Sequence, residues 1–211
     1  MLRDDGVSYG DYLEQITYLI FLKMAFEYSQ PPYKRDVGIP KEYNWKSLTD
    51  RTGAELESHY LALLRDLSMR KGLLGQIFAK AQNKIQDPAK LSRLVAMIDE
   101  TKWTRLGVDV KGDIYEGILE KNAEDTKSGA GQYFTPRALI QAIVECVRPQ
   151  ADTLIADPAA GTGGFLLAAY SYLEKHANLN TDQKERLKKG TFFGNEIVAN
   201  TRRLCLMNLF L

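Results

Sequence analysis

The sequence predicts a helical domain followed by a doubly wound α/β domain, on three observations. Over the first 120 or so residues, apolar side chains recur at three- and four-residue spacing, the period of helices packed on one another. Beyond them, two short apolar runs, 153–157 and 191–194, alternate with helical segments, as strands do when crossover helices join them. Between the first strand and its helix stands Asp157 to Phe165, D-P-A-A-G-T-G-G-F, a glycine turn. Only two strands are visible, and two do not make a stable sheet alone. The α/β domain is therefore expected to be incomplete in this chain.

Residues 11–28, DYLEQITYLIFLKMAFEY, form the first predicted helix. It is amphipathic to nearly all-apolar, with Leu13, Ile16, Leu19, Ile20, Lys23 and Met24 at helical spacing. Asp11 suits its N-terminal dipole and Pro31-Pro32 stop it. Residues 29–44, with Gly38, Pro40 and Asn44, read as a long loop. Trp45, Ser47 and Thr49 lead into a helix at about 53–67, with Leu56, Tyr60, Leu63 and Leu67 on one face. Further helices are expected near 72–86, over 88–98 behind Pro88, and near 112–121. Residues 121–131, KNAEDTKSGAG, are small and polar and read as a linker. That places the helical domain at 1–122 and the α/β domain at 123–211.

In the second domain Thr135 is expected to cap, and Pro136 to open, a helix running to about Arg148. Strand 153–157, the glycine turn and helix 163–176 follow. A polar stretch, Asn178 to Gly190, leads to a second strand, Thr191 to Gly194, which ends at Asn195-Glu196. The last helix covers about 198–210. The closing segment, Leu204 to Leu211, is apolar and reads as a cut through a larger protein.

Composition narrows the function classes. Hydrophobic residues make up 45% and charged residues 26%, ordinary for a globular protein. A net charge of +1 gives no global basic field, so any DNA contact must be local or delegated to a partner. Cys146 and Cys205 are too few for a disulfide framework or a zinc site and read as buried thiols in a reducing compartment. No apolar run reaches the roughly 18 residues of a membrane span. The start, MLRDDG, lacks the apolar core of a signal peptide, so a cytoplasmic location is expected. His59 and His176 show no neighbour suggesting metal or acid–base work, and no metal site is expected. Lys184, Arg186, Lys188 and Lys189 read as a solvated face before they read as a DNA contact, and Arg202 and Arg203 carry no readable role.

The chemistry concentrates at the glycine turn. At the carboxyl end of a strand, glycines let bare backbone approach a ligand, and the helix behind points free N–H groups at it. Asp157 adds a fixed carboxylate, Gly161, Thr162, Gly163 and Gly164 form the turn, and Glu196 stands at the end of the second strand, where an acid can accept both hydroxyls of a ribose. Glu196 also suits a solvated helix start. The spacing fails the dinucleotide fingerprint, because the third glycine is missing and Glu196 lies farther on than the usual distance of roughly 20 residues. It fails the phosphate loop too, since no Gly-Lys-Ser/Thr follows. S-adenosyl-L-methionine fits better, with Glu196 for the ribose and Asp157 for the ammonium group. A second motif, G-A-G-Q-Y-F-T-P-R at 129–137, sets two aromatics beside a helix start. Tyr133 and Phe134 offer a stacking face there, or simple core packing.

G-Q-Y-F-T-P-R followed by D-P-A-A-G-T-G-G-F resembles the modification subunit of type I restriction-modification enzymes, the HsdM family. YLEQITYLIFLKM and I-Y-E-G-I-L-E at 114–120 are similar to that family's helical N-terminal domain, so the resemblance covers essentially the whole chain. It implies an α-helical N-terminal domain and a Rossmann-like methyltransferase domain that transfers a methyl group from S-adenosyl-L-methionine to the exocyclic amine of adenine in duplex DNA. It further implies that Gln132, Tyr133, Phe134, Thr135, Pro136 and Arg137 contact the methionine end of the cofactor. Asp157 with Thr162, Gly163 and Gly164 would wrap it, and Glu196 would hold the ribose. The implied partners are duplex DNA, a specificity subunit, a restriction subunit and a second modification subunit. The family's Asn-Pro-Pro-aromatic motif is absent: the sole adjacent prolines, Pro31-Pro32, follow Gln30 in the first domain. No catalytic residue is therefore assigned, and these 211 residues are expected to be an N-terminal part that is inactive alone. Two readings compete: a non-catalytic assembly or DNA-contact module, and a nicotinamide-binding domain.

Overall fold

A computed structural model describes residues 9–105 and 135–210. The helix expected near 112–121, the linker 121–131 and the domain boundary at 122/123 lie outside the described residues. The described residues fall into two compact units on either side of that gap.

The first unit is helical. Helices α1 (Tyr9–Ser29), α2 (Trp45–Thr49), α3 (Gly53–Met69), α4 (Leu73–Ile77) and α5 (Pro88–Asp99) are joined by loops, with short 3₁₀ turns at Lys41–Tyr43 and Trp103–Arg105. Helix α1 is buried on every side over 17–25, with Tyr18, Leu19 and Phe21 fully covered. A helix apolar all round belongs at the centre of a bundle, and α2, α5 and the second 3₁₀ turn pack against this one. The predicted face of α3 is the buried one: Leu56, Tyr60, Leu63 and Leu67 are each 0% exposed. Phe78 closes the core, stacked on Tyr18 at 5.1 Å and edge-on to Phe21 at 5.8 Å.

Polar groups buried on α1 all find partners. Gln15 donates to the Gln82 carbonyl at 2.9 Å and accepts from the Tyr60 hydroxyl at 3.3 Å. Lys23 reaches Asp99 Oδ1 at 2.6 Å and Glu27 Oε1 at 3.5 Å. Glu27 Oε2 accepts from the Thr104 amide and hydroxyl, each at 2.8 Å.

Helix 72–86 is corrected. Only Leu73–Ile77 is helical. Lys80 takes a positive φ of 59°, and the Asn83 side chain bonds both the N–H and the C=O of Ile85. These local bonds satisfy the backbone without helical geometry.

The second unit contains α6 (Arg137–Val147), β1 (Ile155–Asp157), α7 (Gly164–His176), α8 (Thr181–Lys189), β2 (Phe192–Gly194) and α9 (Ala199–Phe210). The strands are parallel, with Ile155 opposite Phe192 and Asp157 opposite Gly194. Ala160, Leu166 and Cys205 form a small core with Ile155 and Phe192. Helix α6 packs on α7 through Ile140 and Val144.

Three local expectations change in this unit. Helix α6 begins at Arg137 with Pro136 as its cap residue and no side-chain capping bond, so Thr135 does not cap it and Pro136 stands one position before the first turn. The polar stretch Asn178–Gly190 contains α8, held by a capping box in which Asn180 and Gln183 bond each other's backbone at 2.8 and 3.0 Å. Cys146 is exposed on α6, and only Cys205 is buried.

Candidate functional site

The two strands end side by side, and their register sets Asp157 opposite Gly194, two residues before Glu196. Asp157 is the last residue of β1. Its carbonyl accepts from the Asn195 amide at 2.9 Å, which carries the pairing one residue past β2. Its Oδ1 accepts from the Ala159 amide at 3.1 Å, bending the chain into the glycine turn. The Ala160 amide then donates to the Asn195 carbonyl at 2.9 Å. Asn195 thus clamps the turn to the second strand from both sides.

Glu196 meets the turn directly: its Oε2 accepts from the Gly161 amide at 3.0 Å and its Oε1 from the Val198 amide at 2.7 Å. The second bond makes Glu196 a helix-start acid for α9, while the first joins it to the glycine turn. Glu196 thus binds both the glycine turn and the approach to α9. A carboxylate offers about four acceptor positions, so two amide bonds leave room for a hydroxyl on each oxygen.

Gly163 takes φ +86° as the residue before α7, a left-handed conformation that L side chains rarely adopt. A Cβ there would also lie 3.1 Å from Cys205 Sγ. Gly161 too has positive φ, 55°. Gly164 is the first residue of α7, and the first helical bond runs from the Leu167 amide to the Gly163 carbonyl at 2.9 Å. The amides of Gly164, Phe165 and Leu166 therefore have no acceptor within the helix. From α9, the Asn208 side chain donates to the Thr162 carbonyl at 3.0 Å. Burial first, then the charges of Asp157 and Glu196, pushes the Cys205 thiol up to about 11. It stays protonated and is no nucleophile.

The structure thus brings Asp157, Gly161, Thr162, Gly163, Gly164 and Glu196 together. Thr135, Pro136 and Arg137 stand at the start of α6, which packs on α7; an added Cβ on Gly164 would meet Ile140 of α6 at 3.0 Å. Gln132, Tyr133 and Phe134 lie outside the described residues. Asn195 and Asn208 were not anticipated. The signal for Asn208 was present: it is the lone polar residue in the apolar run 204–211.

Both histidines have structural partners. His59 Nε2 is 2.7 Å from Ser47 Oγ, which itself donates to the Asn44 carbonyl. Ser47 thus links His59 to the turn before α2. His176 Nε2 lies 3.7 Å from Glu145 Oε1, tying α7 to α6. Arg186 bonds the Asp152 carbonyl at 2.9 Å and Lys189 pairs with Glu185 at 2.8 Å, so α8 spends part of its charge internally. Arg202 reaches the Glu196 carbonyl at 3.5 Å. Among the described residues, no group of three side chains is arranged to hold a metal ion, and no helix is long and apolar enough to cross a membrane.

Comparison with known proteins gives two family matches: an HsdM N-terminal domain over residues 1–98 and an N-6 DNA methylase over residues 107–211. The chain is 42% identical to the type I restriction enzyme StySPI methylase subunit of Salmonella potsdam, and 40% identical to the EcoKI methylase subunit of Escherichia coli K12. Both matches take in 100% of this chain and 41% of the relative, so the chain spans well under half the length of these curated proteins. A crystal structure of a modification subunit of a putative type I restriction enzyme from Vibrio vulnificus YJ016 superposes with a TM-score of 0.74 at 24% identity. That match covers 94% of this chain and 48% of the other, and at this identity it shows the fold.

Proposed function

Because the chain belongs to the family of type I restriction enzyme methylase subunits, we propose that it forms the cofactor-holding part of an adenine-specific N6 DNA methyltransferase. The fold reading that goes with this is a helical domain over 1–122 and, over 123–211, the first part of a Rossmann-like methyltransferase domain. The observation that carries the proposal is the bond from the Gly161 amide to Glu196, which sets a ribose-type acid against a glycine turn that begins at Asp157.

The residues fit S-adenosyl-L-methionine. A Cβ on Gly163 would be strained at φ +86° and tight against Cys205 Sγ at 3.1 Å, so the turn favours bare backbone, and the first amides of α7 have no acceptor within the helix. Asp157 would accept from the ammonium group, Glu196 from the ribose hydroxyls, and Gly161 to Gly164 would supply backbone contacts. Gln132, Tyr133, Phe134, Thr135, Pro136 and Arg137 would take the methionine end. Bound there, the cofactor supplies an electrophilic methyl group. In the full protein the adenine would be flipped from the duplex to reach it. Duplex DNA, a specificity subunit, a restriction subunit and a second methylase subunit are the proposed partners, and the cytoplasm the proposed location.

These 211 residues contain no Asn-Pro-Pro triplet, which supports a second reading: by themselves they act as a non-catalytic assembly module. Calorimetry with S-adenosyl-L-methionine separates the readings. Binding by the chain and its loss in Asp157→Ala supports the cofactor site. Binding of NAD in its place would sink the methyltransferase reading.

A further inference from the structure

One face of α9 meets the glycine turn. Cys205, Asn208 and Leu209 stand at i, i+3 and i+4, the spacing that lines one side of a helix. Cys205 Sγ and Leu209 Cγ lie 3.1 and 3.8 Å from where a Gly163 Cβ would be, and Asn208 Nδ2 donates to the Thr162 carbonyl at 3.0 Å. The Thr162 carbonyl and the Gly163 amide belong to one peptide plane, which rotates as a unit. That plane is held at both ends: Asn208 holds its oxygen, and the Ala160 carbonyl holds its N–H at 2.7 Å. The plane sits between a threonine and a glycine already at φ +86°, and glycine is the residue most tolerant of rotation. Unless ψ of Thr162 and φ of Gly163 change by compensating amounts, turning it would redirect the Thr162 and Gly164 amides, which flank the plane.

We propose that Asn208 is a positioning residue for the cofactor turn, fixing the Thr162–Gly163 peptide so that the flanking amides face the ligand. This rests on the reading of that turn as the S-adenosyl-L-methionine cradle. Asn208 touches no ligand in this scheme and acts through the peptide it holds.

The test uses the 211-residue chain with three substitutions. Asn208→Leu removes the donor at similar volume, Asn208→Gln keeps an amide donor, and Asn200→Ala alters an exposed asparagine elsewhere on the same helix as a control. Calorimetry with S-adenosyl-L-methionine is paired with thermal melting and with amide spectra of 15N-glycine-labelled protein. The expected result is affinity about tenfold weaker in Asn208→Leu, corresponding to the loss of roughly one hydrogen bond. Its melting should fall only by about what one hydrogen bond contributes to stability, the Gly163 and Gly164 amide signals should shift, and Asn208→Gln should recover most of the affinity. Unchanged affinity in Asn208→Leu overturns the inference. So does a loss that only tracks a lower melting temperature and is not recovered by Asn208→Gln. If the unsubstituted chain binds no S-adenosyl-L-methionine, the cofactor reading fails, and the positioning role falls with it. Unshifted Gly163 and Gly164 signals would by contrast refute the hold on the peptide alone, whatever binds.

Discussion

Asp99 is where the helical unit concentrates its polar energy. Its Oδ1 accepts from Lys23 Nζ at 2.6 Å and from the Trp45 indole at 2.7 Å. Burial alone would raise its pKa, but the bonds from Lys23 and Trp45, with the Lys23 charge, outweigh that and hold the carboxyl below its usual value. A carboxyl held low when folded stabilises the fold above its unfolded pKa of about 4, and that contribution is lost as pH falls through the lower folded value. Asp99→Asn should therefore flatten the acid limb of the stability curve below about pH 4, as read by urea titrations at stepped pH. The effect should stay under about 1 kcal/mol, because the side chain is 46% exposed and solvent screens the pair. Lys23 is different. It is 3% exposed and its partner Glu27 is 8% exposed. Lys23→Met leaves the Glu27 carboxylate buried with its Trp103 and Thr104 donors but, among the described residues, no cation paired with it. The expected loss is about 3 kcal/mol, seen as a lower urea midpoint at unchanged slope.

At the scale of elements, the glycine turn and α8 are held by different physics, and substitutions should separate them. Gly163→Ala forces a Cβ into a left-handed residue and against the Cys205 sulfur. About 1–2 kcal/mol of backbone strain, plus the contact, should lower the melting temperature of the α/β unit. A variant that melts like the parent would mean the turn has another conformation open to it. Asn180→Ala removes one half of a capping box on an exposed helix and should cost about 1 kcal/mol by the same measurement. The contrast also explains what the sequence made legible. The buried face of α3 and the order strand, glycine turn, helix, strand follow from period and turn chemistry, and both are present at their expected places. Helix α8 was missed because TDQKERLKK has a single buried side chain, Leu187, and so almost no apolar period. Its capping box was the readable signal. The expected helix through 79–86 failed because Asn83 offers Ile85 a local alternative that hydrophobic spacing does not register. The carboxylates and glycines of the candidate site were legible by residue type, and the structure places them together. The clamp formed by Asn195 is made of backbone groups and cannot be seen in side-chain identity.

For the whole molecule, charge and site composition bear on what these residues do with DNA. The chain has 28 basic and 27 acidic side chains, a net of +1. Duplex affinity comes largely from counterion release, with a salt slope set by the number of phosphates neutralised. A protein so balanced, and with α8 lysine and arginine side chains partly engaged by Glu185 and Asp152, should neutralise few phosphates. Fluorescence anisotropy with a labelled duplex should show binding at the weak end of the non-specific range, with a dissociation constant of about 100 μM or above at physiological salt, and a shallow salt dependence. Chemistry should be limited in a second way. The flipped adenine amine needs acceptors and its ring a stacking partner, and the family's Asn-Pro-Pro-aromatic motif, which the resemblance assigns to both tasks, is not in these 211 residues. With tritiated S-adenosyl-L-methionine and saturating duplex, the chain alone should bind the cofactor yet transfer no label to DNA above the no-protein control. Label on adenine would show that the residues present suffice for catalysis, and the division between a cofactor cradle and a separate adenine site would have to be abandoned.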